Sequence, residues 1–226
     1  MGGREVVLAR VWEQMPQTQR PVLLGVDGPD GAGKTRLADD LAAGAPPGRS
    51  VVRASLDDFH HPRAHRHAEG RTGETVWARG FDYEAVRREL LDPWRRGAGS
   101  SYRSRWHDLL TDAYVDQAPS EVRDGAVLVV DGVFAQRPEL DGVWDLVVYV
   151  DASEAVRLSR MAVRDGVPDD PDHPDQRRYL DAQRIYRTRY RPRDRADVVV
   201  DNTDHSAPRI VRIPPRRPAV AQNDPS

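Results

Sequence analysis

The chain has 226 residues, 38% of them hydrophobic, and a formal net charge of −2. At roughly 100–200 residues per domain this suits one sheet-centred core with additions, and the near-neutral balance gives no global pull towards nucleic acid or membrane surfaces. Cysteine is absent, which excludes disulfides, thiolate catalysis and cysteine zinc sites. No apolar run approaches the ~20 residues needed to span a bilayer. The N-terminus lacks the pattern of a secretory signal peptide, so a cytoplasmic location is expected.

In chain order, Glu5 to Met15 places Val7, Leu8, Val11, Trp12 and Met15 at helical spacing, and Pro16 ends that helix. Pro21 to Asp27 is a short apolar run suited to a buried parallel strand, and Arg36 to Ala43 is good helix material. Ser50 to Leu56 reads as a second strand leading into Asp57, Asp58 and Phe59. From His60 to Gly80 the pattern dissolves into a polar stretch too long for an ordinary connection, hence functional or mobile. A helix is expected over Asp82–Arg96, with Pro93 near its end, then a strand or hairpin over Ser100–Asp108. Ala126–Val130 and Leu146–Val150 are strands, and Asp151 with Glu154 is able to form a capping box for a helix running to about Arg164. Asp165–Asp175 reads as a loop, Gln176–Arg191 as a helix and Ala196–Val200 as a last strand.

Strands alternating with helices predict an α/β fold, a doubly wound, mainly parallel sheet with helices on both faces. Residues 1–205 would form this domain, with a lid at about 164–178. Residues 206–226, rich in proline and arginine, are expected to be a disordered tail.

Within Gly25–Thr35, Gly28, Gly33, Lys34 and Thr35 match the spacing G-x-x-x-x-G-K-[ST] of a phosphate-binding loop. Such a loop aims several backbone N–H groups at one anion, and glycine lets the main chain approach without a Cβ. A helix starting near Lys34 adds its N-terminal partial charge. Lys34 can then reach the β- and γ-phosphates of a nucleoside triphosphate, and the Thr35 hydroxyl can ligate Mg2+. Lys34 is the one lysine beside 33 arginines. A slim point charge fits under a phosphate where a planar guanidinium would not. In parallel sheets ligands bind at the carboxyl ends of the strands, which brings the glycine loop, Asp57 and Asp131 to one rim. The two asparagines, Asn202 and Asn223, are not followed by lysine, so a guanine-reading N-K-x-D segment is missing and a GTPase is disfavoured. A compact domain with a carboxylate at that rim suggests a small-molecule kinase using ATP.

The segments GVDGPDGAGKT, SLDDFHHPR, GFDYEAVRRELL, VLVVDGVF, VYVDASEAVRLSRMAVRD and ADVVVDN resemble the uridine kinase family of P-loop kinases, whose relatives include phosphoribulokinase and pantothenate kinase. The resemblance implies ATP and Mg2+ as cofactors and a nucleoside, uridine or cytidine, as acceptor. It implies a nucleotide site made of Gly28, Asp30, Gly31, Ala32, Gly33, Lys34, Thr35, Arg36 and Arg160. Thr35, Asp57 and Asp131 would organise the metal. Asp57 matches the general base and Arg164 a lid arginine. Met161 departs from relatives that carry arginine there. His60, Arg63 and Phe81 would face the acceptor; Phe81, Trp77 and Tyr83 are equally able to fill the core. The histidines at 60, 61, 65 and 67 have no clear second ligand pair, so they are not read as a metal site. The acceptor segment Tyr102–Asp112 is only loosely similar, leaving pantothenate, a sugar phosphate or another small alcohol open. A non-catalytic nucleotide-binding role and a homo-oligomeric state also stay open.

Overall fold

The computed structural model describes residues 2–166 and 170–215. Helix α1 (Gly3–Gln14) precedes β1 (Val22–Asp27), the glycine loop, α2 (Lys34–Ala43) and β2 (Val51–Ser55). A single 3-10 turn (Leu56–Phe59) leads to α3 (Arg63–Arg66) and α4 (Gly73–Arg79). There follow α5 (Tyr83–Ala85), a π-wound segment (Val86–Leu91) and α6 (Asp92–Arg96). Four two-residue strands come next: β3 (Ser101–Tyr102), β4 (His107–Asp108), β5 (Ala113–Tyr114) and β6 (Ser120–Glu121). The chain ends with β7 (Val127–Asp131), β8 (Leu146–Asp151), α7 (Glu154–Asp165), α8 (Pro174–Tyr190), α9 (Pro192–Arg195), β9 (Val198–Asp201) and β10 (Arg209–Arg212).

The main sheet has the order β10-β9-β8-β1-β7-β2, and every pairing except β10 with β9 is parallel. Side chains alternate between its two faces, as the strand period of two dictates. Leu23 of β1 and Leu128 and Val130 of β7 point into a core with Trp94, Phe134 and Tyr186. Val22, Leu24 and Val26 of β1, with Val127 and Val129 of β7, point into a second core against Val11 of α1 and Leu41 of α2. The doubly wound α/β expectation is therefore met. Among the described residues no helix is long and apolar enough to cross a membrane.

Several local expectations are corrected. The stretch 60–80 contains α4, started by Thr72, whose hydroxyl accepts from the Thr75 N–H. Its buried Trp77 and Thr75 gave too short a pattern to stand out among charges. Ser100–Asp108 is no single hairpin: β3 pairs with β6 and β4 with β5. The first turn of α7 has no side-chain cap bond, and the Asp151 carboxylate instead accepts from Ala152 N at 3.0 Å and Arg193 Nε at 3.1 Å. The expected tail begins too early. Arg209–Arg212 adds an antiparallel edge strand to β9, because Ile210 and Ile213 pack on the core, Arg209 faces solvent and the half-buried Arg212 donates to Ala196 O at 2.7 Å. Residues 216–226 lie outside the described residues, as do 167–169 of the expected lid.

The π-wound turn has a cause in Pro93. Proline has no N–H to offer the carbonyl four residues back, and its ring crowds it. That carbonyl belongs to Glu89, and it accepts from Arg103 N at 2.8 Å instead.

Gly132, next after Asp131, tests how tightly β7 meets the turn after β2. A Cβ there would lie 2.5 Å from Leu56 Cβ and 2.7 Å from Leu56 Cγ. Overpacking of this kind costs about 1–3 kcal/mol. Gly132→Ala should therefore lower Tm by about 3–10 °C in a domain of this size, measured by calorimetry.

Candidate active site

The glycine loop connects β1 to α2, and its backbone takes conformations that side chains oppose. Gly28 has φ +147° and Gly33, the residue capping α2, has φ +96°. A Cβ on Gly28 would sit 2.2 Å from the Val150 carbonyl oxygen of β8. Neighbouring elements fix the loop in place. Asn202 Nδ2 donates to Ala32 O at 2.7 Å, and Arg160 donates to Gly31 O at 3.3 Å and to Asn202 O at 2.9 Å. The buried Arg157 donates to Asp30 O at 3.3 Å, and Gln183 of α8 donates to Asp30 Oδ2 at 2.9 Å.

Beneath the loop, Asp27 is fully buried. Its carboxylate accepts from Gly28 N at 2.7 Å, Gln136 Nε2 at 2.9 Å and the Tyr186 hydroxyl at 2.5 Å. Burial raises its proton affinity and these donors oppose that rise. Asp27, Gln136, Arg157, Gln183 and Tyr186 are not among the expected site residues. Only burial of polar groups marks them, and that is a tertiary property.

At the rim, the helix start at Lys34 places its ammonium inside the loop, where Nζ donates to Pro29 O at 3.0 Å and lies 3.8 Å from Asp30 Oδ1. The next residue, Thr35, donates through Oγ1 to Asp131 Oδ2 at 2.6 Å. The other Asp131 oxygen is 2.8 Å from Arg53 Nη2 of β2. Strands β1, β2 and β7 are in parallel register, with Val26 opposite Asp131 and Ser55 opposite Asp131, so all three chain ends emerge together.

Asp57 and Asp58 separate into different roles. Asp58 pairs with Arg105 at 3.0 Å. Asp57 is exposed to solvent at the cleft that it lines. Partial desolvation by the protein packed around it, then repulsion from Asp30, raises its pKa to about 6, against the opposing pull of Lys34. His60 reaches Asp57 O through Nδ1 at 2.9 Å and packs on Phe81 with ring centroids 4.1 Å apart. Burial lowers the His60 pKa to about 4, so the ring is neutral at pH 7.

The cleft holds about 620 Å3 and is lined by Asp30, Asp57, His60, Phe81, Met161 and Arg164, among others. Trp77 and Tyr83 lie in the core, while Phe81 sits where core and cleft meet. Arg63 is exposed and does not line the cleft; Arg66, one turn on, does. Arg36 faces a small separate recess with Gly33, Asn202 and His205. Thr35, Asp57 and Asp131 offer the oxygen donors that Mg2+ prefers, so the residues present fit that ion.

A glycine loop closing on Lys34 at the carboxyl rim of a parallel sheet defines a P-loop NTPase fold. No family model matches the chain. It is 24% identical over 152 residues to a uridine kinase of Clostridium tetani, covering 66% of this chain and 69% of that protein. A uridine kinase of Ureaplasma parvum is 23% identical over 150 residues, covering 66% and 70%. Among solved structures, one described as a possible uridine kinase from Bacillus stearothermophilus matches with TM-score 0.67 at 24% identity, over 87% of this chain and 96% of that one. A candidate fructose transport system kinase from Silicibacter matches with TM-score 0.64 at 20% identity, over 82% and 95%. The likeness to uridine kinase-like P-loop kinases read from the sequence is borne out.

The raised pKa of Asp57 gives a test that needs no substrate. A carboxyl that holds its proton more tightly folded than unfolded weakens the fold once ionised, and that loss grows as pH rises through about 6. Asp57→Asn should therefore raise Tm of the nucleotide-free protein at pH 7.5 by about a degree or two, solvent screening of this exposed carboxylate keeping the effect small, and leave it nearly unchanged at pH 4. Equal shifts at both pH values would contradict the crowding of carboxylates.

Proposed function

We propose that the chain is an ATP-dependent kinase that moves the γ-phosphoryl group to a hydroxyl of a small alcohol. The observation that carries this reading is the opening of Asp57, with its pKa near 6, onto the cleft beside the glycine loop. The loop N–H groups and Lys34 hold the β- and γ-phosphates. Gly28, Asp30, Gly31, Ala32 and Gly33 shape that cradle. Arg160 acts by holding Gly31 and the turn after β9, and Arg36 flanks the nucleotide from the recess beside Gly33. Mg2+, when bound, would neutralise phosphate charge, held by Thr35 and Asp131 with Asp57 close by. Asp57 takes the proton of the acceptor hydroxyl as its oxygen bonds to Pγ and the bond from Pγ to the β–γ bridging oxygen breaks. Arg164 steadies charge on the transferring group. Catalysis of this kind is chiefly positioning and electrostatic stabilisation.

The names of the sequence relatives support the 5′-hydroxyl of uridine or cytidine as the acceptor. His60 and Phe81 offer an aromatic surface for a base or sugar. A second reading, in which the acceptor is pantothenate or a sugar phosphate, is favoured by the arginines along the cleft.

A coupled ADP-release assay over uridine, cytidine, pantothenate and sugar phosphates tests the proposal. Asp57→Asn should lower kcat/KM about 100- to 10,000-fold; a loss under about threefold would remove it as the base. Because the base must be ionised, kcat/KM should fall as pH drops below about 6. ATP binding with no ADP formed from any acceptor would favour a regulatory protein instead.

Lys34→Arg checks the buried ammonium separately. The larger planar head does not fit where Nζ meets Pro29 O. Activity should drop at least about 100-fold, as for loss of a strong transition-state contact.

A further inference from the structure

Strand β2 closes the main sheet beside β7, and Arg53 interrupts its apolar pattern. Val52 and Ala54 face the core that holds Trp94, while Val51 faces the core against α2. Two residues beyond Val51, Arg53 shares that second face. An arginine on an edge strand ordinarily guards the edge by pointing to water. Here only 23% of the side chain is exposed, and its head is turned inward.

Every guanidinium nitrogen of Arg53 meets a protein acceptor. Nε donates to Asp39 Oδ1 of α2 at 2.9 Å, and Nη1 to Ala54 O at 2.9 Å and Val129 O at 2.7 Å. Nη2 donates to Asp131 Oδ1 at 2.8 Å. A planar fork can serve these four acceptors together and a single ammonium cannot. Ser55, next on the same face, donates to Asp131 O at 3.3 Å and accepts from the Asp57 N–H at 3.3 Å. Strand β2 therefore grips Asp131 by side chain and backbone.

That grip bears on Thr35. The Asp131 side chain is 2% exposed, and its second oxygen accepts from the Thr35 hydroxyl at 2.6 Å. A hydroxyl has one hydrogen and two lone pairs. With the hydrogen given to Asp131, the lone pairs of Thr35 are left for a hard cation such as Mg2+. A buried charge without a partner is costly. Lys34 is engaged by Pro29 O and Asp30, so the compensating cation comes from β2.

We infer that Arg53 is a positioning residue for the metal-bound nucleotide: by fixing the Asp131 carboxylate it aims the Thr35 hydroxyl, so that Mg2+ and the phosphates strengthen one another's binding. The inference rests on the kinase reading above and deepens it, adding a residue from outside the phosphate loop. An arginine that merely held β2 to β7 and α2 would have no bearing on that mutual strengthening.

Calorimetric titration of the full chain with ADP, once with Mg2+ and once with EDTA, tests the inference with no acceptor and no turnover. The wild type should bind ADP more tightly with Mg2+. Arg53→Gln should shrink that gain about 10-fold, near the lower end for loss of a charge-assisted hydrogen bond, and leave the affinity in EDTA unchanged. Arg53→Lys keeps the charge but serves fewer acceptors, so its gain should fall between the two. Asp131→Asn should lose the gain as well, and adding Arg53→Gln to it should cost nothing more, because both act through one carboxylate. Should Arg53→Gln alone fail to fold, Arg53→Lys and the double variant decide.

A gain in Arg53→Gln or Arg53→Lys equal to that of the wild type would overturn the inference. So would equal weakening of ADP binding with and without Mg2+, or a further loss on adding Arg53→Gln to Asp131→Asn. Each of these leaves the kinase reading standing. A wild type indifferent to Mg2+ would overturn the inference and leave the acceptor assay to judge the kinase, whereas a wild type that binds no ADP would count against both.

Discussion

The loop after β1 works because three parts of the chain press against its glycines. A Cβ on Gly28 would meet the carbonyl of Val150 at 2.2 Å, one on Gly31 the carbonyl of Arg157 at 2.5 Å, and one on Gly33 the amide of Asn202 at 2.5 Å. These belong to β8, α7 and the turn after β9. The loop's shape is thus imposed from several sides. Backbone N–H groups held this way are preorganised for an anion, so little reorganisation is needed when charge arrives.

The same rim concentrates negative charge, and the fold sorts its carboxylates by giving some of them cations. Asp131 receives Arg53 from the neighbouring strand, and Asp58 receives Arg105 from the segment between β3 and β4. Asp57 is left facing the cleft, pushed towards its protonated form by desolvation first and then by Asp30 and Asp131. A pKa near 6 would suit the proposed base, which must be ionised at neutral pH and still bind a proton usefully. The arginines needed for this sorting come from β2 and from an irregular segment, so the small pairs β3–β6 and β4–β5 contribute to the electrostatics of the rim.

Local patterns made the centre of the site legible. The spacing of Gly28, Gly33, Lys34 and Thr35 and the apolar runs ending at Asp57 and Asp131 are short-range signals, and parallel topology brings their ends together. What stayed hidden depends on partners distant in sequence. Arg209–Arg212 holds too few apolar residues to announce a strand, yet β9 supplies a ready edge. Asp27 looks like the last residue of a strand, and only the fold reveals Gln136 and Tyr186 converging on it from 109 and 159 residues away. Arg63 and Arg66 are indistinguishable by composition; one turn of α3 decides which of them lines the cleft.

Helix α8 joins these parts. Gln176, Tyr179, Gln183, Tyr186 and Tyr190 recur every three or four residues, which sets them along one stripe of the helix. The first three line the cleft. Gln183 bonds Asp30, and Tyr186 bonds Asp27 under the loop. Tyr186 and Tyr190 then pack on Trp77 of α4 at 5.7 and 5.4 Å between ring centroids. Residues of this 17-residue helix thus line the cleft and also support the glycine loop from beneath. In the kinase proposed above, acceptor and nucleotide would be positioned against one another through α8, which is the requirement in-line transfer places on a protein that contributes mainly geometry.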